Sequence, residues 1–154
     1  KQRAREVEEK SLAIYNFAHA YALERGIIIA DTKVEFGVVD GKVILIDEVL
    51  TPDSSRFITV EDFAVAMRDG RDPAFWDKQV VREWGKAVVT PWGVGLNSLK
   101  PENPEHLEFV DGLSVPASVT ALTGERYHEI FEKITGYKLP VFQKEVMEIE
   151  DGVA

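Results

Sequence analysis

Between Asp31 and Arg56 the chain gathers residue types suited to handling phosphates and carboxylates. The acids Asp31, Glu35, Asp47 and Asp53 stand there with the cations Lys33 and Arg56 and the serine pair Ser54-Ser55. Carboxylates offer hard oxygen ligands for Mg²⁺, and fixed cations stabilise charge that develops on an oxyanion. Hydroxyls beside an arginine suit a bound phosphate or carboxylate. Thr51-Pro52-Asp53-Ser54-Ser55-Arg56 has that composition. The competing reading is a solvated hairpin face followed by an Asx or Ser/Thr turn with a surface arginine.

A hairpin must bring these residues together. Ile27-Ile28-Ile29-Ala30 is rich in β-branched residues and predicts a buried strand. Alternation follows, with Asp31, Lys33 and Glu35 on one face and Thr32, Val34 and Phe36 on the other. Asp40-Gly41 is a strong turn signal, and Val43 to Val49 returns as the partner strand. The register stays open. A two-residue loop pairs Val39 with Lys42, sets Glu48 opposite Lys33, and leaves Asp47 on the other face from Glu35. A three-residue loop pairs Val39 with Val43 and sets Glu35 opposite Asp47. A one-residue slip inverts a whole face. In the second register the two carboxylates, about 5 Å apart at Cβ, repel unless a cation sits between them. That register therefore implies Mg²⁺, with waters and phosphate oxygens completing its shell.

Helices flank the hairpin. Val7, Leu12, Tyr15, Ala18 and Ala22 recur at helical spacing and predict a helix over about 3–25, stopped by Gly26. Further helices are expected over about 60–68, after Thr59, and over about 77–87, carrying Val80, Val81 and Trp84. Pro91, Pro101, Pro104 and Pro116, with Gly93, Gly95 and Gly112 between them, make 90–116 a long irregular connection. A last helix spans about 116–135, with Tyr127, Ile130, Phe131 and Ile134 as its apolar stripe. The acidic tail after Pro140 reads as peripheral. The fold class is α+β: an antiparallel sheet around a central hairpin, flanked by helices, in one domain over 1–154.

Bulk properties narrow the function classes. A chain of 154 residues with 45% apolar residues can build a real core. Net charge is −9, with a pI near 4.9. Such a chain does not bind nucleic acid non-specifically, which needs clustered lysine and arginine. Without cysteines there is no disulfide, no thiolate catalysis and no cysteine-bound zinc. No apolar run reaches the roughly 18 residues of a membrane span, and no secretory signal is seen, so the expected location is cytoplasmic. The start at Lys1, inside a charged helical pattern, points to a fragment or a processed product.

Ile29-Ala30-Asp31-Thr32-Lys33-Val34-Glu35-Phe36-Gly37, together with Asp47-Glu48-Val49-Leu50-Thr51-Pro52-Asp53-Ser54-Ser55-Arg56, resembles phosphoribosylaminoimidazole-succinocarboxamide synthase, the SAICAR synthetase of purine biosynthesis. Asp77-Lys78-Gln79 followed by Val81-Arg82-Glu83-Trp84, and the helix ending Ile134-Thr135-Gly136, fit the same family. The similarity runs over about residues 3–138 and covers about the second half of the family's enzyme. The lobe carrying its glycine-rich ATP loop is absent. The resemblance implies a kinase-like ATP site between two lobes, of which this is the C-terminal one. It also implies an ATP- and Mg²⁺-dependent ligase joining L-aspartate to CAIR through an acyl phosphate. Glu35 and Asp47 match acids near Mg²⁺ and the nucleotide phosphates. Asp31, Lys33, Asp53, Ser54, Ser55 and Arg56 match the surroundings of CAIR, with Lys33 and Asp31 as catalytic groups. Lys78 and Gln79 are candidate contacts to substrate or aspartate, in competition with a helix-surface role. The implied partners are CAIR, aspartate, the missing N-terminal lobe and further copies in a homo-oligomer.

Rival readings are a catalytically silent fragment with residual Mg²⁺ or anion binding, and an unrelated acidic interaction domain. Glu48 either supports Asp47 or faces solvent. His19, His106 and His128 are isolated and read as structural or exposed, and Trp76, Trp84 and Trp92 as core or loop anchors. Gly93-Val94-Gly95 is too weak a signal for a phosphate loop, and the 91–116 segment has no assigned role.

Overall fold

In the computed structural model, which describes residues 1–149, the chain order is α1 (Gln2–Leu23), β1 (Ile27–Thr32), β2 (Glu35–Val39), β3 (Lys42–Asp47), β4 (Ser55–Thr59), α2 (Val60–Asp69), α3 (Gln79–Ala87), α4 (Pro104–Asp111), α5 (Ala117–Thr135) and α6 (Leu139–Glu145). The chain divides into two compact units. The first is built from residues 1–77 and from 126 onward, and the second from 78–125.

In the first unit α1 ends at Leu23, and the chain turns through Gly26 at φ 71°, a left-handed value that glycine adopts without a Cβ penalty. The Gly26 carbonyl accepts from Val60 N–H at 2.9 Å, tying the start of β1 to the start of α2. β1 pairs antiparallel with β4, and β2 with β3, giving a pair of two-stranded sheets. The single strand expected over 27–36 is therefore broken at Lys33-Val34, where the chain changes partner. The core joins Ala18 and Ala22 of α1, Ile27 and Ile29 of β1, Phe57 of β4 and Ile130 of α5. Burying a side chain of this size contributes about 1.5–3 kcal/mol. Tyr15, Leu50, Trp76 and Ile134 pack around that cluster.

Thr59 caps α2, accepting from Asp62 N–H at 2.9 Å. Gly70, at φ 65°, closes the helix. Asp62 then reaches forward. One carboxylate oxygen takes the Arg71 guanidinium, and the other takes Ala74 N–H at 2.6 Å. The following residues run beside β4, where Trp76 N–H donates to the Phe57 carbonyl at 2.9 Å. Arg126 Nη1 donates to the Phe75 carbonyl at 2.9 Å, and Trp76 Nε1 donates to Glu129 at 3.0 Å. These bonds fasten the C-terminal half of α5 to the strand that carries Arg56.

The second unit holds α3, a 3-10 turn at Leu96–Ser98, α4 and the first half of α5. The segment 90–116, expected to be irregular, thus contains regular structure. Asn103 accepts from Glu105 N–H at 3.0 Å, with Pro104 at the first helical position. That is a helix start which the proline count masked. Trp92 sets its ring against His106 and Phe109, at centroid distances of 4.3 and 5.6 Å, so Trp92 is the loop anchor it reads as. After Pro140, α6 takes up the beginning of the tail, while residues 150–154 lie outside the described residues. Among the described residues no helix is long and apolar enough to cross a membrane.

Candidate active site

Each two-stranded sheet carries a β-bulge, and each bulge brings a charged pair together. In the hairpin, Asp40 at φ 50° and Gly41 at φ 77° form the two-residue turn, and Val39 pairs with Lys42. This is the first of the two alternatives left open by the sequence. Continued unbroken, it would put Ile46 opposite Glu35 and send Asp47 to the far face. The ladder instead slips between Phe36 and Glu35, so Glu35 faces Asp47. A two-residue turn plus one extra residue on β3 reaches the pairing expected only from a three-residue loop. Bulges re-aim a side chain in this way.

Lys33 Nζ sits against Glu35 at 2.5 Å and within 3.7 Å of Glu48. The Glu35 hydrogen bond is the main cause that raises the lysine pKa above its ordinary value, so the ammonium stays charged through neutral pH. The side chain of Glu48 thus pairs with Lys33, as a second acid on that ammonium. Backbone bonds hold both ends of this arrangement. Lys33 N–H donates to the Ser54 carbonyl at 3.0 Å, and Glu48 N–H donates to Asp47 Oδ1 at 2.7 Å, orienting that carboxylate. Glu48 and Leu50 adopt left-handed φ values of 58° and 57°. Such non-glycine strain concentrates where surrounding structure enforces a functional geometry.

The other bulge lies between Ile29 and Asp31, and beyond it Asp31 pairs with Arg56 and Thr32 with Ser55. The carbonyl of Ile29 at this break takes Tyr15 Oη at 2.8 Å and His19 Nδ1 at 3.3 Å. A carbonyl only accepts, so His19 carries its proton on Nδ1 here, and its role is structural, as its isolation suggests. Arg56 donates twice to Asp31, from Nε to Oδ1 at 2.8 Å and from Nη2 to Oδ2 at 2.7 Å. That fork holds the guanidinium pKa above its already high value. The Phe75 ring lies 5.2 Å from the same guanidinium, and the charge of Asp77, only 2% exposed, adds to its field. Ser55, 3% exposed, hydrogen-bonds Thr32 Oγ1 at 2.8 Å. Ser54 closes a small turn on Thr51, with the hydroxyls 3.1 Å apart, and Asp53 lies inside that turn.

The first unit therefore assembles Asp31, Lys33, Glu35, Asp47, Ser54, Ser55 and Arg56 along the adjoining ends of its strands, with Asp53 in the connecting loop. Lys78 and Gln79 open the second unit. Gln79 Nε2 donates to Glu83, which also takes Lys86 Nζ at 2.6 Å. Lys86 first, then Gln79, keep the Glu83 carboxyl below its ordinary pKa. This is helix-surface pairing along α3. The sequence reading passed over Phe75 and Asp77 as site residues. Asp77 stands in the Asp77-Lys78-Gln79 motif, which was signal enough to list it. Nothing local marks Phe75, because only its pairing beside β4 brings it to Arg56.

The residue pattern matches the model of the SAICAR synthetase family over residues 1–99. The chain belongs to the SAICAR synthetase family. A phosphoribosylaminoimidazole-succinocarboxamide synthase from Methylobacillus flagellatus is 43% identical over 134 residues, which is 86% of this chain and 38% of that protein. The enzyme of the same name from Schizosaccharomyces pombe is 40% identical over 137 residues, 88% of this chain and 39% of that one. Among solved structures, a SAICAR synthase from Saccharomyces cerevisiae complexed with SAICAR superposes with a TM-score of 0.61 at 36% identity, over 90% of this chain and 40% of that one. A SAICAR synthetase in complex with ADP gives a TM-score of 0.53 at 25% identity, over 89% of this chain and 40% of that one. The fold is thus the α+β fold of SAICAR synthetases, and the chain spans about two fifths of its relatives' length. Membership in this family disfavours the reading as an unrelated acidic interaction domain.

Proposed function

We propose that this chain supplies the substrate-handling part of an ATP-dependent ligase that joins L-aspartate to CAIR, giving SAICAR, ADP and phosphate. The observation that carries the reading is the bulge-made opposition of Glu35 and Asp47 beside Lys33, in a chain of the SAICAR synthetase family. The relatives' names and the neighbours bound to SAICAR and to ADP support the same chemistry.

The residues fit Mg²⁺. Among the described residues no cluster of three or more acids and histidines forms a closed metal cage. Mg²⁺ does not need one, since it keeps waters and takes one or two carboxylates with substrate phosphates. Glu35 and Asp47 would hold it, and when bound it would neutralise the nucleotide phosphates and the CAIR carboxylate so that two anions can approach. Lys33 is held by Glu35 within reach of the same anions and stabilises charge developing on the transferred phosphoryl group. Arg56, with its fork set by Asp31, and the hydroxyls of Ser54 and Ser55 would clamp CAIR, with the ribose phosphate on the guanidinium. Asp31 is the candidate to accept the proton of the aspartate amine. Asp53 completes the proposed substrate contacts of the first unit. In the second unit Lys78 and Gln79 are proposed contacts to substrate or aspartate on the strength of their sequence motif alone.

The test joins this chain to an N-terminal lobe of the family and assays ATP, CAIR and aspartate turnover. SAICAR should form. Asp47→Asn should weaken Mg²⁺·ADP binding by at least about tenfold, the scale lost when even a group bonded to a metal ligand is removed. Unchanged binding in that variant would remove Asp47 from the metal site.

A further inference from the structure

We infer that Gly37 is a positioning residue for the metal and nucleotide site. Its bare Cα leaves the room that Ile46 takes in the β3 bulge, and that bulge turns Asp47 toward Glu35. The inference rests on the metal role proposed above for those two acids.

The turn at Asp40-Gly41 dictates an even ladder as far as Phe36 and Leu45. Something must then make room for one more residue. A Cβ placed on Gly37 would stand 3.0 Å from Ile46 Cγ2, 3.5 Å from its Cδ1 and 4.0 Å from its Cγ1. The Ile46 side chain therefore lies across the space that any other residue at 37 would fill. Backbone conformation does not explain this glycine, because Gly37 is not among the positive-φ glycines, unlike Gly26 or Gly41. Its reason is steric.

Ile46 is branched at Cβ and stiff at χ1, and only one of its three staggered rotamers turns the Cβ hydrogen toward residue 37. A methyl group on residue 37 forces that rotamer or pushes the bulge itself, and the residue after the bulge is Asp47. Nor is Ile46 there for the core, since it is 56% exposed. Burial in the core therefore does not account for its seat over Gly37.

The experiment uses the complete enzyme loaded with ADP and follows Mn²⁺ binding by electron paramagnetic resonance. Backbone contacts between Glu35 and Asp47 are followed by NMR in the same variants without metal. Gly37→Ala should weaken Mn²⁺ binding by about tenfold or more and lose the Glu35–Asp47 contact. Adding Ile46→Ala removes the three atoms nearest the new methyl group, so the double variant should recover both. If Gly37→Ala alone fails to fold, recovery of folding and of Mn²⁺ binding in the double variant carries the same meaning. Failure of the double variant to recover overturns the inference. So does a Gly37→Ala protein that binds Mn²⁺ normally while Asp47→Asn does not. If Asp47→Asn also binds normally, the metal reading itself has failed, and this inference falls with it.

Discussion

Arg56 is held in a two-pronged bond to Asp31, with its guanidinium over the Phe75 ring and a buried carboxylate contributing to its field. A lysine at this position keeps the charge but loses the planar fork. Arg56→Lys should therefore raise KM for CAIR and lower kcat/KM by roughly 10- to 100-fold, the loss expected for one charge-assisted bond. The KM for ATP should move little, and steady-state kinetics with each substrate varied in turn checks both. At this scale the sequence was informative about residue type, since acids, cations and hydroxyls crowded between 31 and 56 already spoke of phosphates. What it could not provide was partner choice. Lys33 could have met Glu48 or Glu35, and it meets both. Asp31 read as a candidate catalytic and substrate-binding acid, and only the strand register shows that it grips Arg56.

Elements decide that register, and both of the bulges that build the site escaped the pattern of alternation. Period-two alternation reports the average course of a strand and is silent about one extra residue. The hairpin turn was readable because Asp-Gly has a mechanism, whereas Ala30 and Ile46 carry no such signature. The same holds for α4, where prolines and glycines outweighed a clear Asn-Pro helix start. The segment that delivers Phe75 and Asp77 to Arg56 is fixed by Asp62, whose carboxylate takes Arg71 and Ala74 N–H. Arg71 is the larger influence, and together they hold the Asp62 carboxyl below its ordinary pKa. The sign follows from the direction. A depressed pKa contributes stability above the unfolded value, and that contribution fades as pH falls through the folded one. The stability difference between the native protein and Asp62→Asn should be constant near neutrality and shrink below about pH 4. Urea unfolding at a series of pH values measures it, and a difference that persists into strong acid would contradict the assignment.

The whole molecule shows how its core is shared along the chain. Ile130, 2% exposed, completes a cluster otherwise built from α1, β1 and β4. Ile130→Ala should cost about 2–5 kcal/mol in the first unit, read as a lowered urea midpoint at an unchanged slope. The net charge of −9 gave no hint of the local roles of Lys33 and Arg56, since a local field can oppose the overall one. The division into two units was not readable either, because its boundaries at 77/78 and 125/126 carry no composition shift, and the second falls inside a helix. The first unit being stitched from two distant stretches has a consequence for how the protein is born. A ribosome releases the hairpin and its acids long before Ile130. Until that residue emerges, the cluster beneath the site lacks one wall, and closing it requires a long-range contact that is slow to form. A product ending before α5 would carry every acid of the hairpin, but Ile27, Ile29 and Phe57 would lack the side chain that completes their cluster. The packing under β1 and β4 is thus finished only late in synthesis, after every residue of the hairpin has been made.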